Sequence, residues 1–144
     1  MFVAPGPRLD HIPRPLLERV LALHPLLHLN QREAGLLTGL EDAEESAALL
    51  CRRTGRAVIV TLSSRGALVQ EPGRAAELLP SEPVPMVDAT GAGDSHAGAV
   101  LAGLEQGLEL RQAVRRANRI SAQAVQQKGG ALTPESFRKA MDTL

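Results

Sequence analysis

A chain of 144 residues with sixteen Lys or Arg and sixteen Asp or Glu has no net charge to draw it to nucleic acid or to an anionic membrane. Two Phe, no Tyr and no Trp leave few rings for bases to stack on, so nucleic acid is not an expected partner and the core must be aliphatic. The single Cys51 rules out an internal disulfide framework, and with no signal-peptide pattern and no apolar run of membrane-span length it fits the cytoplasm.

Met1 to Pro15, with Pro5-Gly6-Pro7, opens as a loop or short edge segment. Pro15 to His24 carries Leu16, Leu17, Val20, Leu21 and Leu23 at helical spacing and is closed by Pro25. Leu26 to Leu29 is a short buried strand that delivers Asn30, and Gln31 to Thr38 is a helix ending near Gly39. Asp42 caps a helix to Arg53, with Glu45 three residues on. Ala57 to Leu62 is the clearest strand, and Gly66–Gln70 with Ala75–Leu79 forms a hairpin around Glu71-Pro72-Gly73-Arg74. Helices are then expected over Ser95–Gly107, Leu110–Gln127 and Pro134–Leu144. Helices alternating with short buried strands predict an α/β layered domain with a mostly parallel sheet, one partial domain over residues 1–144. Ligands of such folds bind at the carboxyl ends of strands, and Asn30, Thr61 and the Thr90–Asp94 loop are each expected to follow one.

The richest stretch is Asp88-Ala89-Thr90-Gly91-Ala92-Gly93-Asp94-Ser95-His96, a glycine-rich loop running into a helix. Amides at a helix start lack intrahelical partners and lie at the positive end of the helix dipole, so the loop suits an anion. Asp94 stands on the first turn, where a carboxylate beside anion donors suits proton removal from an alcohol during phosphoryl transfer. Spacing alone is equally satisfied by a tight strand-to-helix turn in which Asp94 is a favourable N-terminal charge. The segment resembles the second signature of the PfkB, or ribokinase-like, carbohydrate kinases, D-[ST]-x-G-A-G-D. Ala89 departs from that pattern, and Ser95-His96 replaces a more usual small-plus-aromatic pair.

That resemblance implies a layered α/β/α fold, ATP and Mg²⁺ as cofactors, and a sugar or nucleoside hydroxyl as acceptor. Asp94 would be the base, and the amides of Gly91, Ala92 and Gly93 would form the anion hole. Asn30-Gln31-Arg32-Glu33 with Leu37-Thr38-Gly39 is similar to the family's N-x-x-E motif and the Leu-Thr-Gly after it. Read from spacing, Asn30 and Glu33 make a helix-capping box; the family role is to organise water around Mg²⁺, with Glu33 acting through water. Thr61-Leu62-Ser63-Ser64-Arg65-Gly66 stands for the family's T-x-G-x-x-G along the nucleotide phosphates, with Ser63 in place of the first glycine. Ala117-Asn118 resembles the pair lining the base pocket, which by itself would pass for a surface Asn on a helix. Asp88 and Thr90, with Val125 to Gly130, resemble a backbone loop for a monovalent cation such as K⁺. Arg115, Arg116 and Arg119 read as a solvated helix face. The four His show no metal-ligand spacing, and neither G-x-x-x-x-G-K-[ST] nor G-x-G-x-x-G occurs.

The resemblance runs from about Val3 to the C-terminus and corresponds to the family's second half, without the first signature and the small β lid. A sheet beginning there exposes an edge. The chain is therefore expected to be a piece of a longer kinase, or to shield that edge as a homo-oligomer or with a complementing chain. The alternative function is a non-catalytic nucleotide-binding or interaction module.

Overall fold

The structure is a computed structural model that describes residues 1–129, 132–135, 137 and 138. The chain divides into two compact units, Met1–Leu62 with Ala67–Leu78, and Ser63–Gly66 with Leu79–Leu144.

In unit 1, β1 (Phe2–Val3), β2 (Leu26–Asn30) and β3 (Val58–Thr61) run parallel, and β4 (Ala67–Gln70) returns antiparallel to β3. With β5 (Glu77–Leu79) the sheet order is β1-β2-β3-β4-β5, a mixed, mostly parallel sheet. The β2–β3 register sets Asn30 opposite Thr61, so both stand at the carboxyl ends of neighbouring parallel strands. Helices α1 (Arg14–Leu21), α2 (Gln31–Thr38) and α3 (Ala43–Thr54) supply the covering layer. Leu27, Leu29, Leu50, Val58 and Val60 are fully buried in one aliphatic core with Cys51 at its margin, as the lack of aromatics requires. Asp42 accepts from the Glu45 amide at 2.8 Å and caps α3 as its spacing predicts. The proline-rich opening is more ordered than a plain loop: beyond β1 it forms a 3₁₀ turn over Gly6–His11 that buries Leu9.

In unit 2, α4 (Ala92–Glu105) and α5 (Leu110–Ala124) pack closely because small residues face each other. Ala97, Ala99, Val100, Ala113, Val114 and Ala117 are buried, and a Cβ added to Gly103 would lie 2.9 Å from that of Ala113. Arg116 is not on a solvated face with Arg115. It is only 4% exposed and donates to Gln106 Oε1 at 2.5 Å, because the packed stripe of α5 (Ala113, Ala117, Ile120) carries it inward. The helix expected over Pro134–Leu144 falls largely outside the described residues.

Candidate functional site

No strand leads into the glycine-rich loop, contrary to the expectation for Thr90–Asp94. Residues 80–91 have no regular structure, and the cause is in the sequence: Pro80, Pro83 and Pro85 lack the N–H groups a ladder needs. The helix also starts earlier than its apolar spacing suggested, at Ala92 rather than Ser95. Gly91 is its N-cap with φ 73°, a left-handed conformation that strains any side chain. Gly93 and Asp94 thus fall at the second and third helical positions, where amides have no intrahelical acceptor, and the Asp94 side chain is exposed. The Ala92 amide differs, closing the turn on Ala89 O at 3.2 Å.

Asp88 is the anchor of this loop. Its Oδ1 accepts from the Thr90 amide and its Oδ2 from the Gly129 amide, each at 2.9 Å. Hydrogen bonds from Thr90 first, then from Gly129, hold the Asp88 carboxyl below the usual carboxylate range. The Val87 and Asp88 amides both donate to Val125 O, at 2.7 and 3.0 Å. The two segments that the sequence associates with a monovalent cation, Asp88–Thr90 and Val125–Gly129, are therefore in contact, and both Asp88 oxygens already accept amides. Gly130 lies outside the described residues.

A cavity of about 180 Å³ opens beside the loop, lined by Ser63, Ser64, Ser81, Glu82, Val84, Met86, Ala89, Ala92, Ser121, Ala122 and Val125. It is smaller than the roughly 300–1,000 Å³ of sites that hold drug-sized molecules, a size for part of a ligand. Ser63, which stands for a glycine of the family pattern, has φ 55° and so adopts the backbone a glycine would. Gly66 has φ 102°, and its missing Cβ would lie 2.1 Å from Leu79 O and 2.6 Å from Ser81 N. The second glycine of T-x-G-x-x-G is thus required here by the backbone of residues 79–81 passing beneath it.

Asn118 does not line this cavity. Its side chain is 4% exposed and donates through Nδ2 to Leu79 O at 2.8 Å and to Pro80 O at 3.3 Å. Its Oδ1 accepts from Nε2 of His96, itself 3% exposed, at 2.9 Å. Burial pushes the His96 imidazole down to about 4, against a smaller upward pull from the Asn118 hydrogen bond. His96 is the residue that sequence reasoning missed; the only signal was its departure from an aromatic at that position.

In unit 1, Asn30 and Glu33 form a complete capping box. Asn30 Oδ1 accepts from the Glu33 amide at 2.8 Å, and Glu33 Oε2 accepts from the Asn30 amide at 3.0 Å. Asn30 Nδ2 adds a third bond, to Glu33 Oε1 at 2.9 Å, and Glu33 is 4% exposed. The reading from spacing is met in full, and the carboxylate is held rigidly at the carboxyl end of β2. Thr61, its neighbour across β2–β3, donates to Leu29 O at 3.3 Å. Among the described residues no three His, Cys, Asp or Glu gather as a metal cluster, and no helix is long and apolar enough to cross a membrane.

The family model described as pfkB family carbohydrate kinase matches residues 2–136. An uncharacterized sugar kinase of Escherichia coli K12, YegV, is 38% identical over 143 residues, covering 92% of this chain and 42% of its own length. A cytidine kinase of Thermococcus kodakarensis is 36% identical over 103 residues, covering 71% of this chain and 37% of its own. A crystal structure from E. coli in complex with ATP and Mg²⁺ is 25% identical with a TM-score of 0.79, covering 99% of this chain and 48% of that one. The chain therefore spans less than half the length of the relatives it matches.

Proposed function

Because the chain belongs to the pfkB family of carbohydrate kinases, we propose that it carries the nucleotide-binding and phosphoryl-transfer half of an ATP-dependent kinase acting on a hydroxyl of a sugar or nucleoside. One observation supports this above others: a helix N-terminus capped by Gly91 in a left-handed turn, with exposed Asp94 on its first turn and a cavity beside it.

The residues suit a nucleotide. Small side chains at Gly91, Ala92 and Gly93 let phosphate oxygens approach the backbone, and the helix dipole favours their charge. We assign the anion hole to the amides of Gly91 and Gly93, since that of Ala92 closes the turn. Asp94 takes the proton of the acceptor hydroxyl as its oxygen bonds to the γ-phosphorus and the bond to the β–γ bridging oxygen breaks, releasing ADP. Ser63, Gly66 and Thr90 belong to the phosphate-binding surface, the resemblance to T-x-G-x-x-G gives Thr61 the first position of that motif, and Asn118 acts from behind the cavity. ATP supplies the phosphoryl group, and Mg²⁺ neutralises charge on its phosphates. By resemblance to the N-x-x-E motif, Asn30 and Glu33 would order the water around that ion. Asp88 and Thr90 would contribute to a backbone site for K⁺ in this reading.

The test is calorimetry with Mg·ATP followed by ADP release against a panel of sugars and nucleosides. Asp94→Asn should bind Mg·ATP within about threefold of wild type while losing at least about a hundredfold in turnover, the usual size of a general-base contribution. Equal turnover in that variant removes Asp94 as the base.

A further inference from the structure

Four segments of unit 2 line the cavity: the Ser63–Gly66 turn, the Ser81–Ala89 stretch, the start of α4 and the end of α5. Each is tied, one layer behind the lining, to a single buried network. Asn118 on α5 holds the carbonyls of Leu79 and Pro80, where the chain leaves β5, and the Ser63–Gly66 turn lies directly on that same backbone. His96, two residues past Asp94 on α4, completes it. Neither His96 nor Asn118 is among the residues lining the cavity.

The proton positions follow from chemistry. Backbone carbonyls only accept, so the Asn118 group facing Leu79 and Pro80 must be its NH₂, and its oxygen must face His96. His96 Nε2 must then carry a hydrogen. Without that donor the buried amide oxygen loses its partner, and nothing favours the orientation that clamps residues 79–80 over the reverse.

We propose that His96 is a positioning residue for nucleotide binding: through Nε2–H it fixes the Asn118 amide, which clamps the Leu79–Pro80 backbone and so sets the cavity wall formed by Ser63, Ser64 and Ser81. This rests on the nucleotide-site reading of the cavity. It assigns to Asn118 an indirect role, acting on the wall and not on the ligand.

The test compares His96→Gln, which keeps a donor near the Nε2 position, with His96→Phe, which keeps a ring and removes the donor. With the full chain folded by far-UV circular dichroism, His96→Phe should weaken Mg·ATP binding about tenfold, the ratio given by losing one buried hydrogen bond of about 1.4 kcal/mol. His96→Gln should stay within about threefold. Equal affinity of the Phe variant and wild type overturns the proposal. Two further measurements need no nucleotide. Long-range ¹H–¹⁵N spectra of wild type at pH 7 should show the neutral Nε2–H form for the histidine signal that vanishes in His96→Gln; an Nδ1–H form overturns the network. Hydrogen exchange at the Gly66 amide, which donates to Ser63 O at 3.1 Å, should quicken about tenfold in His96→Phe, and unchanged exchange again overturns it. If wild type fails to bind Mg·ATP, the nucleotide reading falls while the spectra and the exchange rates still decide whether His96 sets the wall.

Discussion

Placing one methyl group on Gly66 should be among the most damaging single changes in the chain. Gly66→Ala puts a Cβ 2.1 Å from Leu79 O, 2.6 Å from Ser81 N and 2.8 Å from Pro80 C, all backbone atoms. The residue also has φ 102°, so an alanine is strained before it touches anything, at about 1–3 kcal/mol. Relieving the overlap adds about 1–3 kcal/mol. The backbone of 79–80 cannot simply retreat, because the Asn118 amide holds both carbonyls and a broken bond there costs about 1 kcal/mol more. Together these give about 3–7 kcal/mol, a large part of the roughly 5–15 kcal/mol that stabilises a domain. For a chain of this size the melting temperature should fall by roughly 10 °C or more. With no Trp or Tyr in the sequence, the signal is far-UV circular dichroism during urea and thermal unfolding. A loss below about 1 kcal/mol at unchanged urea dependence would refute the close packing of Gly66 on residues 79–81.

The neighbouring turn makes the opposite prediction: Ser63→Gly removes left-handed strain of about 1–2 kcal/mol from a residue at φ 55°, against about 0.5–1 kcal/mol of added chain entropy, so melting should rise by a few degrees in the same dichroism scan. Acid should weaken the fold through His96. In the unfolded chain this imidazole takes a proton below its ordinary 6.5, whereas in the folded protein it does so only below about 4. The unfolded state therefore binds more protons in that window, and stability is full above pH 6.5 and falls by about 3 kcal/mol as pH drops toward 4. Urea titrations at pH 7 and 4.5 should show this loss in wild type and a shallower one in His96→Phe; parallel losses contradict it.

Much of the local structure was legible because it depends on near neighbours. The Asn30–Glu33 and Asp42–Glu45 spacings predict caps, and both form with the expected bonds. The β-branched run before Thr61 predicts β3, and parallel pairing then brings Asn30 and Thr61 to one sheet edge. The start of α4 was not legible from hydrophobic period, since Ala92, Gly93 and Asp94 carry no apolar pattern; the left-handed Gly91 sets it. The stretch before the loop could have been read from its prolines, which forbid the strand that the layered fold suggested. The reason for Gly66 and the contact of His96 with Asn118 are legible only in three dimensions. Both depend on groups brought from 13 or more positions away, where composition and period are silent.

The Asp88 bonds to Thr90 and Gly129 have a consequence for how the protein can be rearranged. Together with the Val87 and Asp88 amides on Val125 O, they gather the entry to α4 and the exit of α5 at one point. Three of these bonds join entry to exit, so the excursion from 88 to 129 closes on itself, while the Asn118 bonds to Leu79 O and Pro80 O tie it to the chain before it. Exchanging such a piece between homologous chains requires matching that junction, the Asn118 contacts and the packed face behind them. Cutting the polypeptide after Val125 would instead sever the Gly129 tie and unlatch the glycine-rich loop from a site 41 residues away in sequence.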